Sequence, residues 1–115
     1  MKKVLIAEDN ESNYLLTSTI LRGKYELCRA MNGQEAVDKV ISEKPDIVLM
    51  DWKMPLMDGL EATQKIRTFN TELPIIALTA YAFDADRRKA LEAGCNEFVT
   101  KPVKIKELLN TLEKY

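Results

Sequence analysis

Three short apolar runs, Val4 to Ala7, Ile47 to Met50 and Ile75 to Leu78, punctuate the chain. Each gives way to a turn and then to a longer stretch with helical spacing. Uninterrupted apolar runs of this length read as strands buried on both faces. Their alternation with helical patterns predicts a parallel sheet wrapped by helices. Two further runs, Tyr25 to Ala30 and Asn96 to Thr100, mix polar with apolar residues, as edge strands exposed to water can. Five strands with the apolar ones inside fit a doubly wound α/β sheet of order 2-1-3-4-5, with strands 2 and 5 at the edges.

The helical stretches carry their own stripes. Ala36, Val37, Val40 and Ile41 form one that starts after Asn32-Gly33 and stops before Pro45. Ile105, Leu108, Leu109 and Leu112 form another in the last segment. Leu16 and Ile20, widened by Leu15 and Leu21, predict a helix that ends before Gly23. Leu60 and Ile66 support one after Asp58. The segment from Asp84 to Ala93 has only alanines and Leu91 to bury before Gly94, so it should be the most thinly packed helix.

In doubly wound sheets the functional crevice opens beyond the carboxyl ends of the strands, where the winding reverses, here between strands 1 and 3. Strand 1 ends in Glu8-Asp9, strand 3 in Asp51, strand 4 in Thr79-Ala80 and strand 5 in Thr100-Lys101-Pro102. Four strand ends therefore bring three carboxylates, a hydroxyl and an ammonium to one edge. Carboxylates so crowded must take up protons, pair with cations or bind a metal, and Lys101 balances only one of them. The chain has no histidine, and oxygen donors favour a hard divalent cation, Mg²⁺ first and Mn²⁺ as the alternative. Such an ion, with Lys101 as a point charge and Thr79 as a donor, would neutralise a phosphoryl group. The crevice has the makings of a site that puts phosphate on a carboxylate.

Composition narrows the class. At 115 residues the chain makes one domain, 1–115, with a single core. Its net charge of -1, with 46% apolar and 30% charged residues, argues against disorder and against a basic nucleic-acid surface. The first apolar run is ended by Glu8 and Asp9, too short for a signal peptide or membrane span, so the expected location is the cytoplasm, without membrane contact by this domain. Cys28 and Cys95 share no metal or redox spacing and read as reduced packing thiols.

Glu8-Asp9, Asp51 followed by Lys-Met-Pro-Leu-Met-Asp-Gly, Pro74-Ile-Ile-Ala-Leu-Thr79-Ala80, and Ala93-Gly94 leading to Phe98 and Lys101-Pro102 resemble the receiver domain of two-component response regulators. The resemblance covers essentially the whole chain, with the motifs in order, and that family has the flavodoxin-like strand order argued above. It implies that the chain is a phosphoacceptor that promotes its own phosphorylation and dephosphorylation, not a turnover enzyme. Asp51 would take the phosphoryl group. Asp9 and Asp51 would bind Mg²⁺ directly, Glu8 through water, and the Lys53 carbonyl would complete the protein's share. Lys101 and Thr79 would contact the phosphoryl group and small Ala80 would leave it room. Thr79 and Phe98 would form the switch that alters the face of helix 4, strand 5 and helix 5. Pro102 would follow a cis peptide bond, and phosphate lifetime would depend partly on Lys53 and Tyr81. The implied partner is a histidine kinase or a histidine phosphotransfer domain, with a receiver dimer as a further option. Ala7-Glu8-Asp9-Asn10 and Ala77-Leu-Thr-Ala80 are similar to receivers of hybrid histidine kinases, which leaves two expectations open: the cytoplasmic part of a membrane-bound hybrid kinase, or a stand-alone relay or regulator.

Other readings compete. A phosphatase or phosphotransferase working on small substrates through an aspartyl phosphate usually has a second aspartate two residues after the nucleophile, where this chain has Lys53, and usually a cap over the substrate. Binding of flavin or a nucleotide would call for a Gly-rich loop after strand 1, where Glu8-Asp9 stand instead. Taken singly, Asp58 reads as a helix cap, Met50, Met54 and Met57 as packing, and Trp52 as a fluorescent reporter beside the site.

Overall fold

The computed structural model describes residues 1–80 and 84–115. Tyr81, expected to flank the site, lies outside the described residues. Five parallel strands, β1 (Lys3–Ala7), β2 (Glu26–Ala30), β3 (Ile47–Asp51), β4 (Ile75–Thr79) and β5 (Glu97–Thr100), form one sheet in the expected order β2-β1-β3-β4-β5. Between and after them run α1 (Glu11–Leu21), α2 (Gly33–Glu43), α3 (Gly59–Arg67), α4 (Asp84–Ala93) and α5 (Ile105–Glu113). Asp51, expected just past its strand, is the last residue of β3 and pairs with Leu78 of β4.

Successive residues of the inner strands feed two separate cores. Leu5, Ala7, Val48, Met50, Ile75 and Ala77 pack against Ala36, Val37 and Val40 of α2, Ala62 and Ile66 of α3, and Ala90 of α4. Val4, Ile6, Ile47, Leu49, Ile76 and Leu78 face Leu21 of α1 and Leu108 and Leu112 of α5. Runs with no polar residue are what burial on both faces requires. The edge strands are correspondingly mixed, with Glu26 exposed on β2 and Glu97 half-buried on β5.

The helix stripes need correction. On α1 the buried residues are Thr17, Ser18 and Leu21, whereas Leu15 and Leu16 are 52% and 41% exposed. Ser18 bonds back to the Leu15 carbonyl at 3.3 Å. A hydroxyl satisfied inside its own helix can be buried without leaving an orphan donor, so a small polar face can turn toward the sheet. Ile41, Leu91 and Ile105, assigned to their stripes by spacing, all point to water. The buried face of α4 is Ala90 and Ala93 alone, so its packing is as thin as expected. Both thiols are free and their pKa values are raised by burial, consistent with packing roles.

Helix starts hold the loops. Asn10, Asn32 and Asp58 accept from the N–H groups of Asn13, Glu35 and Glu61 at 2.9, 2.8 and 2.8 Å, so Asp58 is the cap its sequence suggested. Gly33 N–H donates to the Met57 carbonyl at 2.8 Å and Gly59 N–H to the Trp52 carbonyl at 3.0 Å. A Cβ at Gly59 would lie 2.1 Å from the Asp51 carbonyl oxygen, and one at Gly33 2.3 Å from that of Met57. The β3–α3 loop is thus drawn tight between two glycines that let backbone meet backbone. At the amino ends of β4 and β5, Arg67 donates to the carbonyls of Gly94 and Asn70 and to Asn96 Oδ1, which also accepts from Ile75 N–H.

Candidate functional site

The carboxyl ends of β1, β3, β4 and β5 surround an open cleft of about 270 Å³. Glu8, Asp9, Asp51, Lys53, Thr79, Ala80 and Lys101 all line it, joined by Asn10, Asn13 and Trp52. Parallel pairing explains the convergence, because every strand in such a sheet ends on the same side. Lys101 is carried there by its N–H, which donates to the Thr79 carbonyl at 2.7 Å, and the Lys101-Pro102 bond that follows is cis, as the resemblance implied.

Lys101 Nζ lies 2.8 Å from Glu8 Oε1 and 2.8 Å from Asp51 Oδ1. Glu8 and Asp51 are buried and Asp9 is exposed. Burial, and next the neighbouring Asp51 carboxylate, push the Glu8 carboxyl up to about 7, with Lys101 pulling the other way. Burial opposes the charged form of Lys101, but the Asp51 and Glu8 carboxylates outweigh it and raise its pKa. The site therefore holds more negative charge than its ammonium neutralises. One oxygen from each of Glu8, Asp9 and Asp51 lies within 4.8 Å of the others. That spacing suits a hard cation that keeps several water ligands, so the donor set fits Mg²⁺.

Phe98 stands apart from the cleft. Its half-buried ring packs against the core on the α2, α3 and α4 side of the sheet, with the Arg87 guanidinium 4.6 Å from its centroid. Asn10, Asn13 and Arg29 are not among the expected site residues. Asn13 reaches the cleft from the first turn of α1, where its N–H donates to Asn10 Oδ1 at 2.9 Å. Arg29 touches backbone carbonyls of the cleft's rim, and a contact of that kind leaves no signature in sequence.

Residues 4–113 match the family described as the response regulator receiver domain. The chain belongs to that family. As a receiver domain it is a signalling phosphoacceptor of two-component systems, of a family that binds Mg²⁺ at an acidic pocket. It is 34% identical over 117 residues to the polar-differentiation response regulator DivK of Brucella anthropi, covering 99% of this chain and 95% of that protein. It is 39% identical over 119 residues to hybrid signal transduction histidine kinase G of Dictyostelium discoideum, covering 98% of this chain but 4% of the kinase. Among solved structures it resembles the receiver domain of a Pseudomonas aeruginosa sensor histidine kinase with a magnesium ion in its active-site cleft. The TM-score is 0.91 and the identity 36%, over 99% of this chain and 96% of that one. It also resembles the receiver domain of Saccharomyces cerevisiae Ssk1, crystallised with the histidine phosphotransfer protein Ypd1. Here the TM-score is 0.93 and the identity 35%, over 99% of this chain and 88% of the other. Among the described residues no helix is long and apolar enough to cross a membrane.

Proposed function

We propose that residues 1–115 act as one receiver domain in the cytoplasm, accepting a phosphoryl group on Asp51 from the phosphohistidine of a histidine kinase or histidine phosphotransfer protein. The observation that carries this reading is Asp51 itself. Its carboxylate ends the central strand of the sheet, buried, with Lys101 at 2.8 Å and two further carboxylates beside it. An Asp51 oxygen attacks phosphorus as the bond from phosphorus to the donor imidazole nitrogen breaks, and the imidazole leaves with the electron pair. Lys101 Nζ follows the charge onto the phosphoryl oxygens, Thr79 supplies a hydroxyl at the end of β4, and the small side chain of Ala80 leaves space for the group. Asp9, Asp51 and the Lys53 carbonyl would hold Mg²⁺, with Glu8 acting through water, and the ion would neutralise phosphoryl charge. The new charge and acceptor oxygens at Asp51 favour a state in which Thr79 moves inward and Phe98 repacks beneath the thinly held α4.

Incubation with acetyl phosphate and Mg²⁺ is the direct test. Mass spectrometry of the digested protein should find one phosphate on the peptide containing Asp51; a phosphate found on another residue would overturn the assignment. Metal binding is tested separately. Asp9→Asn is expected to weaken Mg²⁺ at least about tenfold, since few protein ligands hold the ion. Trp52 lines the cleft and is the chain's one tryptophan, so its fluorescence reports the titration. Equal affinity in parent and variant would remove Asp9 from the metal site.

A further inference from the structure

The junction between β1 and α1 carries two of the three carboxylates, Glu8 and Asp9, yet belongs to neither element. Behind it, Glu8 N–H is held by the Ala30 carbonyl at 3.0 Å, and ahead of it α1 begins at Glu11. The carbonyls of Glu8 and Asp9 thus fall between two hydrogen-bond ladders. Arg29 of β2 meets them both, Nε donating to the Glu8 carbonyl at 3.1 Å and Nη2 to the Asp9 carbonyl at 3.5 Å. Its Nη1 pairs with Glu11 Oε1 at 2.5 Å, and the guanidinium lies 4.1 Å from the centre of the Tyr14 ring. The Lys39 ammonium donates to Arg29's own carbonyl, so backbone and side chain are both tied. One planar group therefore spans the end of β2, the junction and the first turns of α1.

We propose that Arg29 is a positioning residue for the divalent-cation site. By fixing the Glu8 and Asp9 carbonyls from behind, the guanidinium sets the direction in which their carboxylates enter the cleft. The inference rests on the assignment of Glu8 and Asp9 to the metal site. The Asp9 side chain is exposed, whereas Glu8 is buried and its carboxylate also meets Lys101 at 2.8 Å, so Asp9 is where the effect of the fork is read. Lysine cannot replace this fork, since a compact ammonium does not bridge two carbonyls and a carboxylate in one plane. Outer partners of metal ligands commonly change affinity by about 10- to 100-fold.

The test compares Mg²⁺ and Ca²⁺ titrations of Trp52 fluorescence in the parent, Arg29→Lys, Glu11→Gln and Asp9→Asn proteins, well below each melting temperature. Arg29→Lys is expected to weaken Mg²⁺ about tenfold and Ca²⁺ far less, because Mg²⁺ demands near-octahedral geometry and Ca²⁺ tolerates irregular shells. Glu11→Gln, which leaves the fork on the carbonyls, should change Mg²⁺ affinity by less than about twofold. If Arg29→Lys weakens both ions by the same factor, the residue is a general support and the proposal is overturned. It is equally overturned if Arg29→Lys binds Mg²⁺ like the parent while Asp9→Asn does not, and the site assignment then stands. If Asp9→Asn itself binds like the parent, the site assignment fails and takes this proposal with it. Should Arg29→Lys not fold, the parent decides: its Arg29 Nε–H resonance should shift on adding Mg²⁺, and a resonance that stays put overturns the proposal.

Discussion

Asp51→Asn is expected to remove phosphoryl uptake completely and, in the metal-free protein, to raise stability above pH 7. The first effect follows from loss of the carboxylate proposed to take the phosphoryl group, because an amide oxygen is a far poorer nucleophile. The second follows from charge. Glu8 has an ordinary pKa of 4.5 in the unfolded chain and one of about 7 in the folded protein. Between those values the folded state holds a proton that the unfolded state has released, so stability falls as pH rises through the window and stays low above it. Burial is the larger cause and Asp51 the next. The amide removes the second cause, while Lys101 keeps its contact with Glu8 Oε1 at 2.8 Å. A gain on the order of 1 kcal/mol at pH 8, shrinking toward pH 5, is the expected size, since one pKa unit is worth about 1.4 kcal/mol. Urea unfolding at both pH values in the presence of a chelator measures it. A variant less stable than the parent at pH 8 would mean that the Lys101–Asp51 contact outweighs the repulsion.

Gly59→Ala should cost stability by a different route and take the site with it. The new Cβ would stand 2.1 Å from the Asp51 carbonyl oxygen, a backbone atom in a central strand that cannot swing aside. Overpacking typically costs about 1–3 kcal/mol, and with rigid backbone on one side the upper end of that range is expected. The relief available is to push α3 away from β3, which moves the loop from Trp52 to Asp58 and the Lys53 carbonyl with it. Gly23→Ala is the matched control. Gly23 has a left-handed φ of 85° but nothing within 4 Å of an added Cβ, so conformational strain of about 1–2 kcal/mol is all it meets. Denaturant titration should rank Gly59→Ala as the less stable of the two, and Gly59→Ala alone should weaken Mg²⁺ binding. Parity in both measurements would mean that the loop yields freely.

How much could be read in advance depended on what kind of contact each residue makes. Ile47 to Met50 and Ile75 to Leu78 were legible as inner strands because burial on two faces excludes polar residues from the whole run. The carboxylates, Thr79 and Lys101 were legible because a parallel sheet gathers its strand ends without regard to distance in sequence. The face of α1 was not. Leucines drew attention to Leu15 and Leu16, yet Thr17 and Ser18 turned inward, and the Ser18 hydroxyl is satisfied on its own helix, which hydrophobicity alone does not register. Arg29 and Arg67 escaped for a related reason: each works largely on backbone carbonyls, and any sequence offers carbonyls everywhere.

The edge strands have a consequence for handling the protein. β2 presents Glu26 at one rim, and at the other Glu97 of β5 is tied to Lys114 at 2.9 Å and to the Tyr115 hydroxyl at 2.5 Å. Charge at a sheet rim discourages a second molecule from adding its own strand. Directly inside β5 lies β4, Ile-Ile-Ala-Leu-Thr, uncharged and wholly buried. Anything that peels β5 and α5 away, whether heat, a truncation before Glu97 or a fusion that strains the tether at Tyr115, uncovers an apolar ladder edge with the composition of an aggregation nucleus. The guard on this domain's solubility is thus the last strand and helix, well away from the acidic cleft, and expression boundaries are best drawn to keep the Glu97–Tyr115 clasp intact.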